Sequence, residues 1–110
     1  MMRLELRVEA VETVKQLKRE NKLVEAEKIL LKVCASDEAS NAKHYEFVAP
    51  WFYEQLAIIY RKQQRFTDEV EILERYYRQL KQPEDATVEM ECRLKKASLL
   101  ASKASTSTKV

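Results

Sequence analysis

The stretch Pro50-Trp51-Phe52-Tyr53-Glu54-Gln55-Leu56-Ala57-Ile58-Ile59-Tyr60-Arg61-Lys62 carries the strongest structural signal in the chain. Phe52, Leu56, Ile59 and Tyr60 recur at helical spacing, with Tyr53 and Ala57 beside them. Such a stripe predicts a helix that buries one face. Pro50 pre-sets the backbone of its first turn. The polar run Lys62-Gln63-Gln64-Arg65 breaks the pattern, with the helix ending near Gln63 or Gln64. A second stripe then follows: Val70, Leu73, Tyr77 and Leu80, flanked by Ile72 and Tyr76. Thr67 is the expected N-cap, with Asp68 and Glu69 in the first turn. The two segments read as a helical hairpin. Five Tyr, three Phe and one Trp all fall between Tyr45 and Tyr77, so this hairpin supplies most of the core.

Upstream, Leu6, Ala10, Val14 and Leu17 form one helical stripe, and Leu4, Val8 and Val11 a second beside it. Asn21 is the expected stop, because Asn tolerates the left-handed conformation better than most non-Gly residues. A second helix is expected over 23–35, with Val24, Ala26, Leu30, Leu31 and Val33 giving it a broad apolar face. Residues 36–49 read as a connecting insertion, since Ser36, Asp37, Ser40 and Asn41 are turn formers. Tyr45, Phe47 and Val48 should fold back on the core. Downstream, Pro83-Glu84-Asp85 predicts the start of a fifth helix over 83–101. That helix carries Val88, Cys92 and Leu99 on one side with Met90, Leu94 and Ala97 nearby, and it caps the core. From about Ser102 the chain reads as a polar tail, expected to be disordered over 105–110. The expected organisation is one all-α domain over 1–104 with about five helices: a hairpin at 3–35, an insertion at 36–49, a hairpin at 50–81 and the cap.

Composition removes several classes of function. The chain has 110 residues, 45% hydrophobic and 35% charged, which fits a globular domain with one modest core. Twenty basic residues nearly balance 18 acidic ones, for a net charge of +2. A dedicated nucleic-acid binder carries a stronger, one-signed field. No apolar run is long enough to span a bilayer, and the acidic start is unlike a secretory signal, so a cytoplasmic location is expected. There is no glycine. Phosphate-cradling loops, dinucleotide fingerprints and nucleophile elbows all need glycine, so no cofactor is expected. Cys34 and Cys92 are expected to be reduced and partly buried. With His44 they lack any usual metal-ligand spacing, so no metal is expected. A lone His44 in a polar segment reads as a surface residue.

Two hairpins can be compared. The second has Tyr53, Leu56-Ala57, Tyr60, a polar turn, Phe66, Leu73 and Tyr76. The first has Ala10, Thr13-Val14, Leu17, a turn at Asn21, Leu23, Ala26, Leu30 and Val33 at matching offsets. On these residues the chain resembles a degenerate tetratricopeptide repeat (TPR) protein over roughly residues 8–80. The resemblance implies antiparallel helix pairs stacked on one another. There are three departures. Glu69 occupies a position that is usually small, the glycine expected in the turn is absent from both copies, and Ala26 and Glu69 lie 43 positions apart, against a usual period of about 34.

The resemblance implies that first helices of the pairs line a groove that binds peptide or protein. By position this groove takes Val11, Lys15, Lys18 and Arg19 from the first helix, and Trp51, Glu54, Ile58, Arg61 and Lys62 from the third. Five of these nine are basic, which suits an acidic partner segment, with Trp51 as an aromatic anchor. The plainer reading is that they form the solvated faces of two amphipathic helices. On the groove reading, Arg61→Glu with Lys62→Glu abolishes partner capture without unfolding. Two repeats leave apolar surface uncovered, which motivates a homodimer. A rival reading is a nucleic-acid accessory using Arg61, Lys62, Arg65, Arg75 and Arg78 with Tyr76 and Tyr77. An enzyme using Glu54, Glu69, Glu71 or Glu74 lacks any sign of a pocket. The expected function is therefore a non-catalytic adaptor that binds another protein.

Overall fold

The computed structural model describes residues 4–44 and 48–107. Five α-helices follow one another: α1 (Leu4–Arg19), α2 (Leu23–His44), α3 (Pro50–Lys62), α4 (Phe66–Arg78) and α5 (Val88–Ser107). A 3-10 turn over Pro83–Asp85 precedes α5. No strand occurs among the described residues. Each helix packs on the next one along the chain, and α3 also touches α5. The result is an all-α stack, a slab of 49 × 36 × 20 Å.

Both hairpin turns are built the same way. Asn21 and Gln64 have φ of 59° and 60°. Around Asn21, the Lys22 N–H donates to Leu17 O at 2.8 Å and the Asn21 N–H to Lys18 O at 3.1 Å. Around Gln64, the Arg65 N–H donates to Tyr60 O at 2.7 Å and the Gln64 N–H to Arg61 O at 3.0 Å. This is the Schellman pattern, which satisfies the last carbonyls of a helix and reverses the chain. The two turns are 43 positions apart, the same offset as that between Ala26 and Glu69. Asn21 stops α1 as expected. A Gln fills the same left-handed position at the second turn.

α3 lies at the centre. Phe52, Tyr53, Leu56, Ala57, Ile59 and Tyr60 are all buried. They meet Val14, Leu30 and Val33 on one side and Leu73 and Tyr76 on the other, within one apolar cluster. Tyr53 and Tyr76 pack with ring centroids 5.5 Å apart. Val48 is buried as expected, while Tyr45 and Phe47 lie outside the described residues.

Four expectations are corrected. First, α2 does not end at Ala35 but runs to His44. The turn formers of 36–44 are held in the helix by tertiary bonds. Asp37 is buried, accepts hydrogen bonds from both terminal nitrogens of Arg7, Nη1 and Nη2, and accepts the Ala49 N–H at 3.3 Å. Asn41 Nδ2 donates to Gln79 O at 3.0 Å. Weak local propensity is outweighed by packing. Second, α4 begins at Phe66 with Arg65 at its N-cap, so Thr67 lies inside the helix. Third, its buried line is Glu69, Ile72, Leu73 and Tyr76, rotated from the expected Val70, Leu73, Tyr77 and Leu80. Fourth, α5 starts only at Val88, where the Thr87 hydroxyl caps it by accepting the Met90 N–H at 3.2 Å. It buries Met90 and Ala97, leaving Val88, Cys92 and Leu99 in solvent. It also runs through Ser107, so 105–107 are helical, and 108–110 lie outside the described residues.

Candidate binding groove

One face of α3 carries Trp51, Glu54, Ile58 and Arg61, all half-buried, and the exposed Lys62, with the buried Gln55 at its edge, because these positions recur every three or four residues. α1 borders it through Lys18, whose Nζ donates to Gln55 Oε1. α5 borders it on the other side through Arg93. Arg93 Nη2 is 3.9 Å from Glu54 Oε2, and the Arg93 carbonyl accepts Arg61 Nη2 at 3.4 Å.

Lys18 lies within electrostatic reach of two cations, Lys62 and Arg93, and of one carboxylate, Glu54, while Glu89 of α5 borders the same face beside Trp51 and Arg93. The Lys18 ammonium is lowered from its usual pKa, first by partial burial and then by the like charge of Lys62; Glu54 opposes the shift and Arg93 adds to it. Both causes disfavour the charged form. Arg93 Nε is buried and donates to no group among the described residues. Burying a donor without an acceptor costs about 1–3 kcal/mol.

Of the expected groove residues, the structure brings together Lys18, Glu54 and Lys62, with Ile58 half-buried on the same face. Trp51 stands at one end, its ring edge-on to Phe52 at 5.1 Å and beside Glu89 and Met90 of α5. Lys15 and Arg19 are exposed and bond only within α1, to Glu12 at 4.0 Å and Gln16 at 2.8 Å. They take no part in the cluster. Val11 is half-buried and belongs to the packing surface.

Arg61 needs a different account from the expected one. Its Nε donates to Glu69 Oε1 at 3.1 Å, and its Nη2 is 2.7 Å from Oε2. Glu69 is fully buried. The carboxylate that breaks the small-residue pattern in α4 is thus the partner that fixes Arg61. Charge reversal at Arg61 would set two carboxylates together in the interior, so it would report on folding as well as on binding.

Comparison with family models, with curated proteins and with solved structures gave no match in any of the three.

The opposite face of the slab is occupied by two sets of bonds that the sequence does not reveal. Glu38 of α2 accepts Tyr53 Oη of α3 at 2.7 Å and a paired Arg75 guanidinium of α4 at 2.6 and 2.8 Å. Glu27 accepts Tyr60 Oη at 3.1 Å and Arg65 at 2.9 Å. Arg65 also lies over the Tyr60 ring, 4.5 Å from its centroid. The first set joins α2, α3 and α4, and the second joins α2 and α3 to the N-cap residue of α4. Burial, reinforced by the neighbouring glutamate, raises the pKa of both tyrosines. Of the nucleic-acid candidates, Arg61, Arg65 and Arg75 are thus bound to carboxylates and Tyr76 is buried, leaving Lys62 and Arg78 exposed. Arg93 and Gln55 were the groove residues missed; nothing in the pattern of α5 distinguishes Arg93 from its other cations.

Proposed function

We propose that this protein is a non-catalytic, TPR-like adaptor that lays a short acidic segment of another protein along the groove face of α3. The grouping of Lys18, Lys62 and Arg93 within electrostatic reach of one another carries the reading, with Arg93 Nη2 3.9 Å from Glu54 Oε2. Carboxylates of the partner bridge these cations through charge-assisted hydrogen bonds, and an apolar side chain rests on Ile58 and Trp51. The matched hairpin turns support the TPR-like likeness, and Glu54 and Glu69, both against arginines, make poor general bases. The nucleic-acid reading retains too few free cations to be preferred.

Trp51 is the only tryptophan, so its fluorescence reports on the groove directly. A Glu-rich peptide is expected to shift that emission with an affinity that falls as salt rises. Lys18→Glu with Lys62→Glu should weaken binding at least about tenfold, or 1.4 kcal/mol, with helix content and urea midpoint unchanged. Equal affinity for a neutral peptide of the same length would refute the proposal. Bound anion should also raise the depressed Lys18 pKa, a shift measurable by NMR of its Nζ.

A further inference from the structure

Among the described residues four large apolar side chains are exposed, and α5 is the only helix that carries two of them; Val8 and Val24 lie singly on α1 and α2. Val88 is 72% exposed, Leu99 48%, and Cys92 is also exposed. With Lys95, these residues are spaced four, three and four apart, which is the spacing of a coiled-coil seam. Lys95 pairs with Glu91 at 3.2 Å, which meets its charge locally and leaves its methylene stem on the seam. Met90, Leu94 and Ala97 face the other way, into the core. α5 has 20 residues and α4 has 13, so α5 is longer than the helix it packs on by about 10 Å.

We propose that this face is an interface with a second copy of the chain, the two α5 helices lying antiparallel about a two-fold axis. The charges along α5 select this occupant and direction. Glu89 lies toward the N-terminal end and Lys96 seven positions on, both on the same flank of the seam and both exposed. Antiparallel pairing sets Val88 of one copy on Leu99 of the second and Cys92 on the Lys95 stem. It then places Glu89 opposite Lys96 twice, once on each side of the axis. Parallel pairing would bring Lys95 against Lys95 at the seam. A two-fold contact is self-complementary, as such interfaces require. So short a seam buries no more than about 1,200 Å² in total, in the range of weak and transient association. The seam adjoins the groove, since Glu89, Cys92 and Lys96 border one hollow with Arg61 and Arg93, but none of its residues is a groove cation, so the proposal does not depend on the groove reading.

Sedimentation equilibrium from micromolar to millimolar concentration tests it. The mass should climb from 13.0 kDa toward twice that value. Leu99→Glu, at a solvent-facing position, should raise the dissociation constant at least about tenfold with unchanged helix content. Glu89→Lys should weaken the dimer, and adding Lys96→Glu should restore it. A mass that stays monomeric throughout, or a dimer indifferent to Leu99→Glu, would overturn the proposal. Capture of a helix from a different protein by a strictly monomeric chain would do the same.

Discussion

Glu69 and Arg61 show most clearly how single residues hold the slab. Removing Arg61 strands a carboxylate with no exposure to water. Arg61→Ala is therefore expected to cost about 3 kcal/mol, because an unpaired buried charge is the expensive outcome. Arg61→Leu with Glu69→Met should recover most of that loss, since the pair itself contributes little net stability over an apolar replacement. Urea midpoints at constant slope will decide it. The two cysteines make a second contrast. Burial pushes the Cys34 thiol up to about 12, while Cys92 faces solvent. Under native conditions a thiol reagent should label one equivalent, at Cys92, and a second only after unfolding. Equal labelling of both would contradict the structure. The tyrosines give a pH dependence. Tyr53 and Tyr60 hold their protons more tightly folded than unfolded. Their contribution is present in full below the unfolded tyrosine value of about 10 and is lost as pH rises through the folded values. Stability should stay flat with respect to these groups from pH 7 to 9 and fall above about 10, less steeply in Tyr53→Phe.

At the scale of helices and turns, the absence of glycine has a measurable consequence. Gln64 sits in the left-handed region without the side-chain advantage that Asn has at the equivalent Asn21. Gln64→Gly should stabilise by about 1 kcal/mol and Asn21→Gly by less. A loss of stability in both would mean that the turns are not formed as described. α2 extends to His44 through residues whose local preference is for a loop. Ser36, Asp37, Ser40 and Asn41 favour turns when only neighbours are considered. Asp37 and Asn41 instead bond to Arg7 and Gln79, at separations of 30 and 38 residues. The rotated face of α4 has a similar cause. An apolar count leaves out Glu69, whose burial is possible only beside Arg61.

Across the whole slab, helices pack with their sequence neighbours, so contacts are mostly local and stability should vary along the stack. α3 is flanked by α2 and α4 and holds more buried residues than any other described helix, whereas α1 packs mainly on α2. Amide exchange is expected to be slowest in α3 and fastest in α1. The Glu27 and Glu38 sets, which tie α2, α3 and α4 at two heights, should make those three helices exchange as one unit. Faster exchange from α3 than from α1 would contradict this ranking. No described helix is long and apolar enough to cross a membrane.

Helical periodicity and the αL stop were legible in the residues alone, because both depend on spacing over one or two turns. The five helices, the matched hairpins and the central place of the aromatic stretch follow from that. The groove was legible only in part: Lys18, Glu54 and Lys62 lie at periods that share a face. Folding alone selected Arg93 as their neighbour, withdrew Arg61 to Glu69, and committed Arg65 and Arg75 to α2. Charge pairing across 30 or more residues depends on which helix faces which, and that is fixed by packing the apolar stripes together, not by any local preference of the charged residues.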